Sequence, residues 1–208
     1  MPKERQPLPV VKECLKTDCK NDLHCFRQEQ KRRPKQMLIG QGCYACGAEL
    51  VNWEVVYKRD INLAQSTFDY MRKEWIRNDF WKKPIDRKAL NAAMRIGRKD
   101  LPKAIENRLV KSVGGEKPYK DGGQTKFEGN IIFYAQHATA SCCRQCIEYW
   151  HGIPHGRELT KNEIKYLRDL MILYIDERLP ELNNDKRKVS SIRIRKVDIN
   201  QQVLNFDL

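Results

Sequence analysis

The chain lacks several things that would settle its class at once. No apolar stretch approaches the roughly 18 residues needed to cross a bilayer, which excludes a membrane-spanning helix. The opening Met1-Pro-Lys-Glu-Arg-Gln-Pro has no apolar core of a secretory signal, so the expected location is the cytoplasm, with no membrane partner. No internal repeat is visible. Gly114-Gly115 and Gly122-Gly123 lack any P-loop or dinucleotide pattern. No Ser/His/Asp or Cys/His nucleophile set stands out. Acids are also scarce, with 27 Asp+Glu against 40 Lys+Arg.

What is present is a chain of 208 residues, 40% hydrophobic and 9% aromatic, with eight cysteines and a net charge of +13. That length supports a core without cross-links. In a reducing compartment clustered cysteines read as metal ligands rather than disulfides. The charge is localised. Thirteen bases between Arg72 and Lys111 face five acids, and residues 1–40 hold ten bases against five acids, including Lys31-Arg32-Arg33-Pro34-Lys35. A localised basic region on a chain with a pI near 9.4 points to a polyanion, DNA or RNA, as partner.

Periodicity divides the chain. Residues 1–36 read as a basic, cysteine-containing arm. Residues 37–60 look β-like, through Met37-Leu-Ile and Leu50-Val51-Asn-Trp53-Glu-Val55-Val56-Tyr57. Residues 61–113 read as a helical basic subdomain inserted into the core. Its first helix covers 62–81, and the next two are capped by Asp86 and Asp100. The step at 97–100 has helix-turn-helix spacing, which any tight helical hairpin shares. Asn130-Ile-Ile-Phe-Tyr-Ala-Gln is a strand candidate. Thr160-Lys-Asn-Glu163 is a capping box opening a strong helix that Pro180 ends. Residues 181–208 form a basic tail, with Ile192-Arg-Ile194-Arg as a terminal strand or exposed stretch. The expected architecture is α+β: a zinc-bound, treble-clef-like β/α core (37–60 with 114–180) around the helical insertion.

Cys43-Tyr-Ala-Cys46-Gly47 has the form of a zinc knuckle, and Cys143-Arg-Gln-Cys146 is a second C-x2-C pair. Four thiolates satisfy tetrahedral Zn²⁺, so Cys43, Cys46, Cys143 and Cys146 form one candidate structural site with zinc as cofactor. A local alternative is His137, Cys142 or Cys143, Cys146 and His151. Cys14, Cys19 and Cys25, with His24 or Cys142, are candidates for a second site.

The stretch Gly129-Asn-Ile-Ile-Phe-Tyr-Ala-Gln-His137-Ala-Thr-Ala-Ser-Cys142-Cys143-Arg-Gln-Cys146, continuing through Trp150-His151-Gly-Ile-Pro154 and Gly156-Arg157 to Thr160, resembles a bacterial domain of unknown function. The likeness covers about residues 120–178. It implies that His137, Cys142, Cys143, Cys146 and His151 belong together. It implies no activity.

Three functions follow as expectations. The first is a zinc-stabilised nucleic-acid-binding protein, part of a bacterial or phage nucleoprotein or defence system. Lys88, Arg95, Arg98, Lys99, Lys103 and Arg108 would contact phosphates, and Trp53, Trp75, Trp81 and Tyr119 would stack on bases or fill the core. The second is a metal-dependent nuclease of His-Asn-His type, with His137 activating water, His151 holding a cation and Asn130 nearby. The third is a protein–protein scaffold or regulatory subunit of a larger complex.

Overall fold

The computed structural model describes residues 12–29, 37–123, 125–187 and 189. The basic run 31–35 and the tail stretch 192–195 lie outside the described residues. Secondary structure is mainly helical. Among the described residues a short antiparallel ribbon, β1 (Gln28–Glu29) and β2 (Met37–Leu38), precedes eight α-helices: α1 (Trp53–Tyr57), α2 (Ala64–Met71), α3 (Trp75–Lys82), α4 (Arg87–Ile96), α5 (Leu101–Leu109), α6 (Ile131–Ala138), α7 (Arg144–His151) and α8 (Lys161–Arg178).

Two strand expectations are corrected. Asn130–Gln136 is not a strand but the start of α6, and Trp53–Tyr57 is helix α1. Both begin at an asparagine cap: the Asn130 side chain accepts from Ile132 N–H at 2.9 Å, and Asn52 accepts from Val55 N–H at 3.2 Å. Helix α6 runs through the middle of the molecule, against α3 on one side and α8 on another. All its residues except Phe133 are buried. A helix buried nearly all round carries no amphipathic period, so its Ile-Ile-Phe-Tyr run is indistinguishable in sequence from a buried strand.

The expected single helix over 62–81 is broken into α2 and α3. Glu74 sits at the break in extended backbone (φ −89°, ψ 128°). His24 pairs with it in a parallel bridge, donating to Lys73 O at 2.7 Å and accepting from Trp75 N–H at 2.8 Å. A tertiary partner, not a local breaker, ends α2.

The caps of α4 and α8 are as the sequence indicates. Asp86 accepts from Lys88 and Ala89 N–H, and Thr160 and Glu163 form the reciprocal box. Gly97 closes α4 with φ +73°. A Cβ there would lie 2.7 Å from Asn184 O, so only glycine lets the 184–186 segment cross the helix end.

Arginines hold the helix ends. Arg178 donates to the carbonyls of Phe80 and Lys83 at 2.7 Å, satisfying the C-terminus of α3. Arg98 does the same for α8 through Leu179, Pro180 and Leu182, and pairs with Asp176. Arg144 is fully buried and donates to Pro154 O at 2.6 Å and Arg157 O at 3.2 Å. A share of the cationic excess is therefore internal.

One cluster of buried side chains, from Phe26 through Val56, Phe68, Ile105 and Ile131 to Trp150 and Ile175, joins the N-terminal turns to the helices. Phe26, Trp53 and Trp150 make the junction, with ring centroids 5.3 to 5.9 Å apart. No described helix is long and apolar enough to cross a membrane.

Candidate metal centres

All eight cysteines are free thiols, and the structure gathers them differently from the treble-clef expectation. The two C-x2-C pairs do not share a cluster. Cys43 and Cys46 lie with Cys19 and His24. Cys142, Cys143 and Cys146 form a second cluster without His137 or His151. Within each cluster the donor atoms fall within 4.8 Å of one another and could hold a metal ion.

The first cluster is built by tight backbone. Cys43 N–H donates to Ala48 O at 2.9 Å, and Gly47 N–H to Cys43 O at 2.8 Å, closing the knuckle. A Cβ on Gly42 would lie 2.7 Å from Gly47 O, so the loop needs glycine to close. Against the cost of burial, the backbone N–H groups of Cys25, Cys46 and Ala45 bring the Cys43 thiol down to about 6. Cys19 Sγ lies 3.8 Å from Cys43 Sγ, and Cys46 Sγ lies 3.4 Å from His24 Nδ1. The other ring nitrogen, Nε2, meets Asp22 Oδ1 at 3.3 Å. The knuckle is legible in the sequence, whereas Cys19 is expected there with Cys14 and Cys25, and His24 only as an added ligand of that trio. Nothing in their spacing pairs them with Cys43, because the pairing comes from Tyr44 N–H bonding Cys25 O at 3.0 Å.

The second cluster sits at the N-terminus of α7. Cys143 is its N-cap, accepting from Cys146 N–H at 3.4 Å. All three thiols are buried. Hydrogen bonds from Cys142 and Cys143 hold the Cys146 thiol well below its usual range, helped by Arg77 and opposed by burial. Arg77, fully buried on α3, donates to Cys146 Sγ at 3.0 Å, His137 O at 2.7 Å and Tyr149 Oη at 3.1 Å. Its Nε donates to Glu74 at 3.0 Å, and Glu74 also accepts from Trp150 Nε1 at 2.7 Å and Tyr149 Oη at 2.9 Å. Burial pushes the Glu74 carboxyl up and Arg77 pulls it back. With only donors around it, the carboxylate form fits. The Glu74–Arg77 pair is invisible as a site in sequence, where both read as part of a basic helix.

His137 and His151 are packing residues. His137 is sandwiched between Phe80 and Phe127, at 4.5 and 4.6 Å, and among the described residues neither buried ring nitrogen has a hydrogen-bond partner. His151 bonds Thr139 O through Nε2 at 3.0 Å, and its Nδ1 is buried. Burial depresses their pKa values to about 3 and about 4. Neither ring presents a nitrogen to the surface, so the proposed division into water-activating and cation-holding histidines has no exposed pair to act through. Cys25 donates to Cys14 O at 3.3 Å, and both thiols are buried outside the two clusters.

The six basic residues expected at phosphates divide. Lys88, Arg95, Lys99 and Lys103 are exposed. Arg98 is the clamp on α8, and Arg108 donates to Gln136 at 3.0 Å and lies over the Phe133 ring. Of the aromatics, Trp81 is buried, Trp53 packs on Trp150, and Tyr119 is 65% exposed.

No solved structure matches the chain. A family model matches residues 65–176, so it takes in the basic helices as well as the second cluster, while Cys19, His24, Cys43 and Cys46 all fall outside it. That match spans more than half of the chain, and the protein belongs to the family described as Domain of unknown function (DUF4186).

Proposed function

We propose that the protein is a zinc-bound nucleic-acid-binding module in which the metal fixes the N-terminal turns and the α4–α5 ridge meets phosphates. The observation that carries this reading is how charge is paired along residues 82–111. Lys82, Arg87, Lys88, Arg95, Lys99, Lys103 and Lys111 are exposed, and among the described residues none has an acidic partner within 4.0 Å. The acids of the same stretch are all engaged. Asp86 caps α4 and accepts from Gly129 N–H and Tyr134 Oη. Asp100 pairs with Lys186 at 2.8 Å, and Glu106 with Arg168 at 3.3 Å. Lys88 and Arg95, seven apart, share a face of α4, and Lys99, in the turn that leads into α5, precedes Lys103 in its first turn. A ridge of uncompensated cations releases counterions on meeting a polyanion.

Zinc is the metal the first cluster suits best. Tetrahedral bonds of about 2.3 Å to sulfur and about 2.0 Å to nitrogen put sulfurs about 3.8 Å apart and sulfur about 3.5 Å from nitrogen. The observed separations are 3.8 and 3.4 Å. Asp22 on Nε2 fixes the tautomer that leaves the Nδ1 lone pair for the ion. Four protein ligands leave no open position, so the role is structural.

The test is a salt titration of DNA and RNA binding by the full chain and by Arg95→Glu/Lys99→Glu/Lys103→Glu. Arg98 is left alone because it holds α8. The variant should bind more weakly, with the log–log salt slope reduced by about 2 to 3. Unchanged affinity and slope would refute the ridge as the contact surface.

A further inference from the structure

We propose that Cys142, Cys143 and Cys146 form a second metal site, for a thiophilic divalent cation, with Arg77 as its built-in counter-charge and with the docked His24 segment as its assembler. It rests on the reading of the first cluster as a metal site. Three sulfurs converge within 4.8 Å inside the core, two from adjacent residues and one a helical turn on. Soft thiolates of this kind select ions such as Zn²⁺ or Cd²⁺ over hard cations.

Arg77 gives the site its sign. A guanidinium only donates, so its approach to Cys146 Sγ at 3.0 Å and Cys142 Sγ at 3.7 Å is strongest when those sulfurs carry charge. As the ion binds, three metal–sulfur bonds form, and each sulfur that still carries a proton breaks its S–H bond and releases that proton to solvent. Three thiolates and a divalent cation then carry one net negative charge beside the fully buried guanidinium.

The first cluster reaches this site through hydrogen bonds. His24 is a ligand of one cluster, and its backbone holds Lys73 and Trp75 at 2.7 and 2.8 Å. Phe26 N–H reaches Glu74 Oε1 at 3.4 Å, and Glu74 holds Arg77 Nε at 3.0 Å. Glu74 and Arg77 are thus positioning residues whose placement depends on the segment the first ion secures. Loss of such outer support costs about 10- to 100-fold in metal affinity.

Native mass spectrometry of the full chain reconstituted with Zn²⁺, and Co²⁺ titration against a competing chelator, test this. The wild type should carry two ions and Cys146→Ser one. Cys46→Ser, at an exposed position, should lose the first ion and weaken the second by about tenfold or more. One ion on the wild type, or two on Cys146→Ser, overturns the second site, and the wild-type count decides even if that variant misfolds. An unchanged second-ion affinity in Cys46→Ser overturns the coupling. A folded Cys146→Ser chain that binds no ion overturns the first-cluster reading, and this one with it.

Discussion

The two thiol clusters differ in what would remain of them without a metal. Cys19, Cys43 and Cys46 come from turns that bury little, and they meet His24, whose buried segment is docked against Glu74. Between residues 38 and 55 only Cys43 is buried, and Cys46 is exposed. Cys142, Cys143 and Cys146 come from the start of one helix, packed beside Arg77, Tyr149 and Trp150 in the core. One site is held together by its ion; the sulfurs of the other are brought together by core packing, and only its Glu74–Arg77 support depends on the docked His24 segment. An ion that fastens loops contributes directly to folding there, whereas a preformed pocket folds first and binds afterwards.

The largest way to break that contrast is at the core. Arg77→Ala removes the partner of a buried carboxylate and should cost about 3 to 5 kcal/mol in denaturant unfolding, whether metal is present or not. A cost below about 1 kcal/mol would mean that the second cluster does not rest on the ion pair.

Acid should act on the same region. His137 and His151 sit at about 3 and about 4 when folded, through burial, and near 6.5 when unfolded. A depressed folded value means that the unfolded chain binds more protons between pH 6.5 and those values. The stability from neutral burial is therefore full above about pH 6.5 and falls as pH drops toward about 4 and then about 3, by several kcal/mol in all. Replacing His137 by Phe should flatten part of that fall, and an unchanged profile would contradict the burial of its ring.

A smaller effect separates capping from metal binding. In metal-free protein Cys143→Ala should cost about 1 kcal/mol through the lost cap on α7, and Cys143→Ser should cost less, because its hydroxyl accepts from Cys146 N–H. Equal costs would show that the sulfur's packing, not its acceptor role, dominates.

Much of this was readable in sequence where a local signal existed. Asp86, Thr160 and Glu163 announce helix starts, and Cys43–Cys46 announces a knuckle. The C-C-x2-C stretch announces a thiol cluster. The reading failed where tertiary contacts decide. Burial of α6 on nearly every side erased its period, the His24 bridge broke a helix whose periodicity runs on, and the fold paired the knuckle with Cys19 and His24 instead of the distant C-x2-C. The basic segment was legible as charge, but not that Arg77, Arg98 and Arg108 turn theirs toward partners within the fold.

Native hydrogen exchange with and without a strong chelator tests most directly whether metal holds the N-terminal turns while packing holds the core. Chelation should speed exchange across residues 18–26 and 43–48, including the amides of His24 and Cys43, while the amides of α6 and α8 keep their protection. Equal protection of both regions after the metal is stripped would contradict it.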